Sequence, residues 1–317
     1  MKTLVTGGAG FIGSHIVEAL YADGHDVHVL DNLSTGRREN VPSQVPLHNY
    51  DIRSQDAADL MAEQRYEVLI HHAAQLDVRA SVADPRHDAD INVGGFLNLM
   101  EAGRHAGLQQ VVFASTGGAI YGEPEYVPQD EHHPQNPISP YGITKLATEK
   151  YLHYYAHQFD IQVICLRYAN VYGPRQNAHG DAGVVAIFTR QMLEGLSPTI
   201  NGAGTQTRDY VFVGDVVRAN LMALAHNGTG IFNVGTGHES SVQQLFDTLN
   251  EIIGPGLSCR YGPSKPGEQQ RSVLSHDRAQ SILGWTPQTS LREGLAETVE
   301  WFRSAHPGLC PVIRAQV

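Results

Sequence analysis

Residues 2–13 read KTLVTGGAGFIG, and this stretch decides the fold. Lys2 to Thr6 has the apolar, β-branched character of a short buried strand. Glycines at 7, 10 and 13 follow at once. A helical run from about Ser14 to Ala22 comes next, then a second strand from Val27 to Leu30 with Asp31 at its tip. Strand, glycine turn, helix, strand and acid form the unit that holds a dinucleotide. The glycines let backbone N–H groups approach a pyrophosphate at the helix N-terminus. The spacing here is GxxGxxG rather than GxGxxG. Asp31 is placed to accept from a ribose 2′-OH and to repel a 2′-phosphate. The expected cofactor is therefore NAD rather than NADP, with Arg37 and Arg38 standing nearby as the opposing signal.

The alternation continues along the chain. Strands are expected at Pro46 to Tyr50, Val68 to His71, Gln110 to Ala114 and Gln162 to Leu166. Helices are expected at about Gln55 to Gln64, Ala89 to Ala106 and Tyr141 to Gln158. Strands alternating with helices predict a parallel, doubly wound α/β Rossmann sheet, whose ligands bind beyond the carboxyl ends of the strands. The residues at successive strand ends are Gly7 to Gly13, Asp31, Asp51, Ala73 to Gln75, Ser115 with Thr116, and Arg167 to Asn170. Less regular elements follow: a helix from Asp181 to Glu194, a strand from Thr199 to Asn201, a helix from Val213 to Ala225 and a strand from Ile231 to Val234. Beyond them lie a helix from Val242 to Ile253, a strand near Cys259, and helices near Asp277 to Leu283 and Leu291 to Phe302. They predict a smaller C-terminal α/β lobe over the binding edge. The division expected is a dinucleotide domain at 1–175, with a returning segment near 205–236, and a substrate lobe at 176–204 and 237–317.

The chain has 317 residues, 41% of them hydrophobic, which is long enough for a large core and typical of a globular protein. A net charge of −11 argues against a nucleic-acid partner. Cys165, Cys259 and Cys310 show no metal spacing, and the 17 histidines show no ligand pattern, so no metal is expected. The scattered cysteines, the absence of a leader and the lack of a long apolar run fit a reducing cytoplasm and no membrane.

Within this frame one pair points to chemistry. In Ser139-Pro140-Tyr141-Gly142-Ile143-Thr144-Lys145, Ser139 suits the N-cap and Pro140 the first helical position. Tyr141 and Lys145 then share one helix face. A phenol near pKa ~10 needs about three units, or roughly 4 kcal/mol, to become a base at neutral pH. One ammonium at ~4 Å in a partly buried site supplies an energy of that order.

TGGAGFIG, DNLSTG, HHAAQ, STGGAIYG, YGITK, RYANVYGPRQ, TRDYVFVGDV and PGEQQRS together resemble the extended short-chain dehydrogenase/reductase family, in its UDP-glucose (UDP-galactose) 4-epimerase branch. The likeness runs to about Trp301. It implies an NAD-dependent isomerase acting on a UDP-sugar, with Tyr141 as catalytic base, Lys145 as its partner, and a hydroxyl, Thr116 rather than Ser115, on the sugar O4. It implies cofactor contacts at Gly7, Gly10, Phe11, Ile12, Gly13, Asp31, Asn32, Gly36, Asp51, Ile52, Ala73, Ala74, Gln75, Asn92, Ser115, Tyr141, Lys145 and Tyr168. On the substrate side it implies Asn170, Arg208 and Arg271 on the diphosphate, Glu268 on the ribose, and Ser272 as a small gate that would admit an N-acetyl group. Arginine suits phosphate because its planar fork bonds two oxygens. The family's dimers pair two long helices per subunit, so a homodimer through Ala89–Ala106 and Tyr141–Gln158 is expected. Leu146, Tyr151, Leu152, Tyr154 and Tyr155 exceed what one buried face needs. Two alternatives stay open: a 4,6-dehydratase or another epimerase of the family, and a dinucleotide sensor without chemistry. Gly117-Gly118, where a dehydratase carries Asp-Glu, speaks against the first.

Overall fold

The structure is a computed structural model that describes residues 1–178, 183–254, 256–263 and 269–309. Seven parallel strands form its centre: β1 (Lys2–Thr6), β2 (Asp26–Leu30), β3 (Leu47–His48), β4 (Val68–His71), β5 (Gln110–Thr116), β6 (Gln162–Tyr168) and β7 (Gly230–Val234). Their order across the sheet is β7-β6-β5-β4-β1-β2-β3, the doubly wound arrangement expected. The main helices are α1 (Phe11–Ala22), α2 (Gln55–Gln64), α3 (Phe96–Ala106), α4 (Pro140–Phe159), α5 (Val184–Leu193), α6 (Val213–Ala225), α7 (Val242–Ile253) and α8 (Leu291–Ala305).

Each face of the sheet carries its own core. Ile16, Val17 and Leu20 of α1 pack with Val216, Ala219 and Ala223 of α6 on one face. Leu60, Met61, Phe96, Leu99, Leu152 and Tyr155, from α2, α3 and α4, cover the other. The strands are buried on both sides, which is why β1, β4 and β5 read as continuous apolar runs rather than alternating ones. A third core joins α5, α7 and α8 around Tyr210 and Phe212. There the short strand Thr199–Asn201 pairs in parallel with Arg260–Gly262. Among the described residues no helix is long and apolar enough to cross a membrane.

Three local differences from the sequence reading have physical causes. The helix expected from Ala89 to Ala106 is a short helix, Pro85–Ala89, a π-turn, Asp90–Gly95, and then α3. A Cβ on Gly95 would sit 2.5 Å from Ile52, so glycine at the end of the π-turn lets the backbone lie against that side chain. Helix α1 begins at Phe11, before Ser14, because Gly10 takes the N-cap position with no side chain. Helix α5 begins at Val184, and the Asp181 start lies outside the described residues.

Candidate active site

A cavity of about 1750 Å³ opens at the carboxyl ends of the strands. Gly7, Gly10, Phe11, Ile12 and Gly13 form its floor at the end of β1. Gly7 has a φ of +67°, and a Cβ there would meet the Ala73 backbone nitrogen at 2.8 Å. A Cβ on Gly13 would fall 2.2 Å from the Gly7 carbonyl oxygen, so only glycine lets the turn close this tightly. No side chain caps α1 at Gly10, which leaves first-turn N–H groups open to an anion in the cleft.

The second strand end is held by its own acid. Asp31 lines the cleft, and its carboxylate accepts from Ala9 N at 3.0 Å and Leu33 N at 2.9 Å. It ties the glycine loop to the tip of β2 and keeps lone pairs for a further donor. Gly36 does not line the cavity; it lies behind Asp31, where a Cβ would meet the carboxylate at 2.8 Å. Asn32, Asp51 and Ile52 line the next stretch. Arg53 forks onto Asp51 and holds its carboxyl down at about 2.

Ala73, Ala74 and Gln75 follow β4 and line the wall. Asn92 is buried behind them, not in the cleft. Its amide accepts from Gln75 N at 2.8 Å and donates to Gln75 O at 3.0 Å, so it shapes the wall through Gln75. Tyr168 lines the cleft, and its hydroxyl accepts from Asn220 Nδ2 at 2.8 Å and lies 3.1 Å from His72 Nε2. Burial holds His72 neutral, pushed down to about 3, and its Nδ1 has no partner. An orphaned nitrogen on a cleft-lining ring, uncapped N–H groups and glycines that no Cβ could replace fit a dinucleotide along this wall.

Tyr141 and Lys145 stand where the helix signals put them. Ser139 Oγ accepts from Gly142 N at 3.2 Å, and Pro140 fills the first turn of α4. Lys145 is 4% exposed, donates to Ala114 O at 2.9 Å and lies over the Phe113 ring. Its nitrogen is 5.9 Å from the centre of the Tyr141 ring. The Ala114 carbonyl anchors the ammonium on that side of the helix, and both side chains line the cleft. Burial raises the Tyr141 phenol, the Asp88 carboxylate raises it further, and a hydrogen bond with Thr116 works against both.

The two neighbouring hydroxyls separate cleanly. Successive strand residues point to opposite faces. Thr116 meets Tyr141, whereas Ser115 donates to Glu149 inside the core. Glu149 is in turn forked by Arg167, at 3.0 and 2.6 Å. Ser115 borders the cleft, yet its hydroxyl is committed elsewhere, which corrects its place among the catalytic groups.

The substrate side is less assembled. Asn170 lines the cleft. Arg208 and Arg271 do not: Arg208 donates to Thr207 O at 2.7 Å, and Arg271 forks onto Glu239 at 2.9 and 2.6 Å. Ser272 is buried, its carbonyl taken by Asp209 N, and it does not line the cleft either. Glu268 lies outside the described residues. The sequence reading missed Arg175, Arg190 and His306, which line the cavity. Arg175 was visible inside RYANVYGPRQ; His306 belongs to a tail with no pattern. Among the described residues no group of three His, Cys, Asp or Glu could hold a metal.

Comparison with known proteins matches this architecture. Residues 3–235 match the NAD dependent epimerase/dehydratase family. The UDP-glucose 4-epimerase of Mycolicibacterium smegmatis is 47% identical, over 96% of this chain and 99% of that one. The structure of the Thermotoga maritima UDP-glucose 4-epimerase with UDP-glucose superposes with a TM-score of 0.94 at 46% identity, covering 96% of this chain and 99% of that one. The Thermus thermophilus UDP-glucose 4-epimerase in complex with NAD gives 0.90 at 46% identity, covering 96% and 100%. With the glycine cradle, the Tyr141–Lys145 helix and a match across most of its length, the chain belongs to the NAD-dependent epimerase/dehydratase family.

Proposed function

We infer that the protein is an NAD-dependent 4-epimerase of UDP-sugars, of the UDP-glucose/UDP-galactose pair. The observation that carries this is that Tyr141 and Lys145, one turn apart on α4, and Thr116 at the end of β5 all line one cleft whose floor is a glycine cradle. Tyr141 takes the proton of the sugar 4-hydroxyl and returns it when the inverted alcohol re-forms, with Thr116 holding the same oxygen. Bound NAD supplies the acceptance and return of the C4 hydride, so the intervening sugar is the 4-ketone. Lys145 holds positive charge beside the phenol, and Asp31 receives the adenosine ribose. Asn170 is the cleft-side contact for the diphosphate. Arg208 and Arg271 reach it only after leaving Thr207 and Glu239, and Ser272 acts on sugar size only if its segment moves. Residues 176–204 and 237–317 serve as the substrate lobe.

A dehydratase needs a carboxylate after Thr116. Gly117 and Gly118 stand there instead, and neither brings a carboxylate. The reading extends to a cytoplasmic homodimer. Cys165 and Cys259 are free thiols. Ile143, Tyr151 and Tyr154 stand exposed on α4, with Val78 and Val82 on the short helix, Val78–Ala83, packed beside it. A second copy would cover them, and a monomer mass by light scattering at micromolar concentration would remove this part of the reading. The activity is tested by incubating purified protein with UDP-glucose or UDP-galactose. Interconversion supports the epimerase, loss of water indicates a dehydratase, and no change with NAD bound indicates a sensor.

A further inference from the structure

One carboxylate beside the reacting groups has no role in the chemistry above. Asp88, in the short helix Pro85–Ala89, is fully buried. Its Oδ1 accepts from Gln75 Nε2 at 2.9 Å and Asn92 Nδ2 at 3.2 Å, and its Oδ2 accepts from Thr144 Oγ1 at 2.8 Å. All three donors are neutral, and Asp88 makes no ion pair among the described residues. Thr144 lies between Tyr141 and Lys145 on α4. A buried carboxylate keeps its charge only through such donors and through nearby positive charge.

The surroundings single out Lys145 as that charge. On α4 the titratable neighbours are Tyr141 and Glu149; β4 brings His71 and His72, and β6 brings Cys165 and Arg167. Glu149 and Arg167 offset each other in their buried fork, and burial holds both histidines neutral. Arg79, Arg86 and His87 on the two short helices are exposed, where water screens them. What remains is one buried anion bonded to the Thr144 side chain and one buried cation on the next residue of α4.

We propose that Asp88 is a positioning residue of this active site, whose buried charge keeps Lys145 an ammonium beside Tyr141 and whose hydrogen bonds fasten α4 to the cofactor wall at Gln75. The inference rests on Tyr141 and Lys145 being the proton-transfer pair. Burial draws the Lys145 ammonium down to about 8, and Asp88 is the foremost charge opposing that, ahead of Glu149. The same carboxylate raises the Tyr141 phenol. A neutral residue at 88 therefore moves both groups in the acid direction.

Lysine NMR reads this directly, because the chain holds only Lys2, Lys145, Lys150 and Lys265. With 13C at the lysine ε-carbons, the Lys145 signal is identified by its loss in Lys145→Arg. In the native protein its midpoint is expected near pH 8. In Asp88→Asn the midpoint falls by about one pH unit, as for removal of one nearby charge, while Asp88→Glu keeps it within a few tenths of a unit. An unmoved midpoint in folded Asp88→Asn overturns the proposal. Should that variant not fold, Asp88→Ser is judged by the same criterion. The titration needs no turnover, so its result is separate from whether UDP-sugars are epimerised. Where activity is present, the alkaline limb of kcat/KM moves acidward in the neutral variant; an equal loss at every pH marks a structural role and overturns the charge assignment.

Discussion

Lys145 and Arg271 were both read as cations that serve the reaction, yet the protein treats them differently. Lys145 is 4% exposed, makes one backbone hydrogen bond and follows Thr144, whose hydroxyl is held by the buried Asp88 carboxylate. The Arg271 side chain is 52% exposed and already forked onto Glu239. The first charge is set in place by the fold. The second must exchange one anion for another before it can meet a phosphate. Buried charges in this molecule are part of the architecture, while exposed ones remain negotiable.

The harshest way to break that distinction is to remove a buried partner. Arg167→Met leaves Glu149 unpaired in the core, and a loss of about 3–5 kcal/mol is expected in urea unfolding. A loss under about 1 kcal/mol would show that the buried network is not structural. Tyr141→Phe comes next: turnover falls by about two orders of magnitude or more, as for a lost general base, while the fold and bound NAD persist. Near-normal turnover would remove Tyr141 from its role. Asp31→Ala takes away a charged acceptor on the cofactor side, worth about 1.5–3 kcal/mol, so NAD affinity should drop by roughly ten- to a hundredfold. Affinity for NADP should fall less, and equal losses for both would refute the ribose assignment. The mildest case is on the exposed side. Glu239→Gln releases Arg271, and because an exposed pair is worth about 0.2–1 kcal/mol, KM for the UDP-sugar should fall by no more than about fivefold. A rise in KM would mean that Glu239 presents the arginine rather than detaining it.

The same divide explains what the sequence made legible. The doubly wound parallel sheet and the glycine turn after its first strand were readable because they rest on local rules: apolar runs, glycines in forced turns, an acid at a strand tip. The α4 cap and its YxxxK face were readable from spacing alone. Ser115 and Thr116 were not separable, since which hydroxyl faces the cleft depends on strand orientation in the folded sheet. Asp88 gave no signal because its partners, Gln75, Asn92 and Thr144, are brought together only by packing, and Asn92, read as a cofactor contact, stands behind Gln75 for the same reason. Arg271 misled because a motif names a side chain but not the Glu239 that occupies it. The π-turn gave no sequence signal, and the close approach of Gly95 to Ile52 at its end spans distant parts of the chain.

Helix α4 is stitched to the sheet at two successive turns, Lys145 to Ala114 and Glu149 to Arg167 with Ser115. Those anchors lie on β5 and β6, which pair along their whole length. The helix therefore has no private route to opening; it can leave only when the centre of the sheet comes apart. In amide hydrogen exchange its middle turns should behave as one unit with β5 and β6, exchanging at the slowest rate in the molecule. Partly unfolded forms would then carry either the whole reacting constellation or none of it, which confines half-assembled, promiscuous chemistry to states too rare to matter.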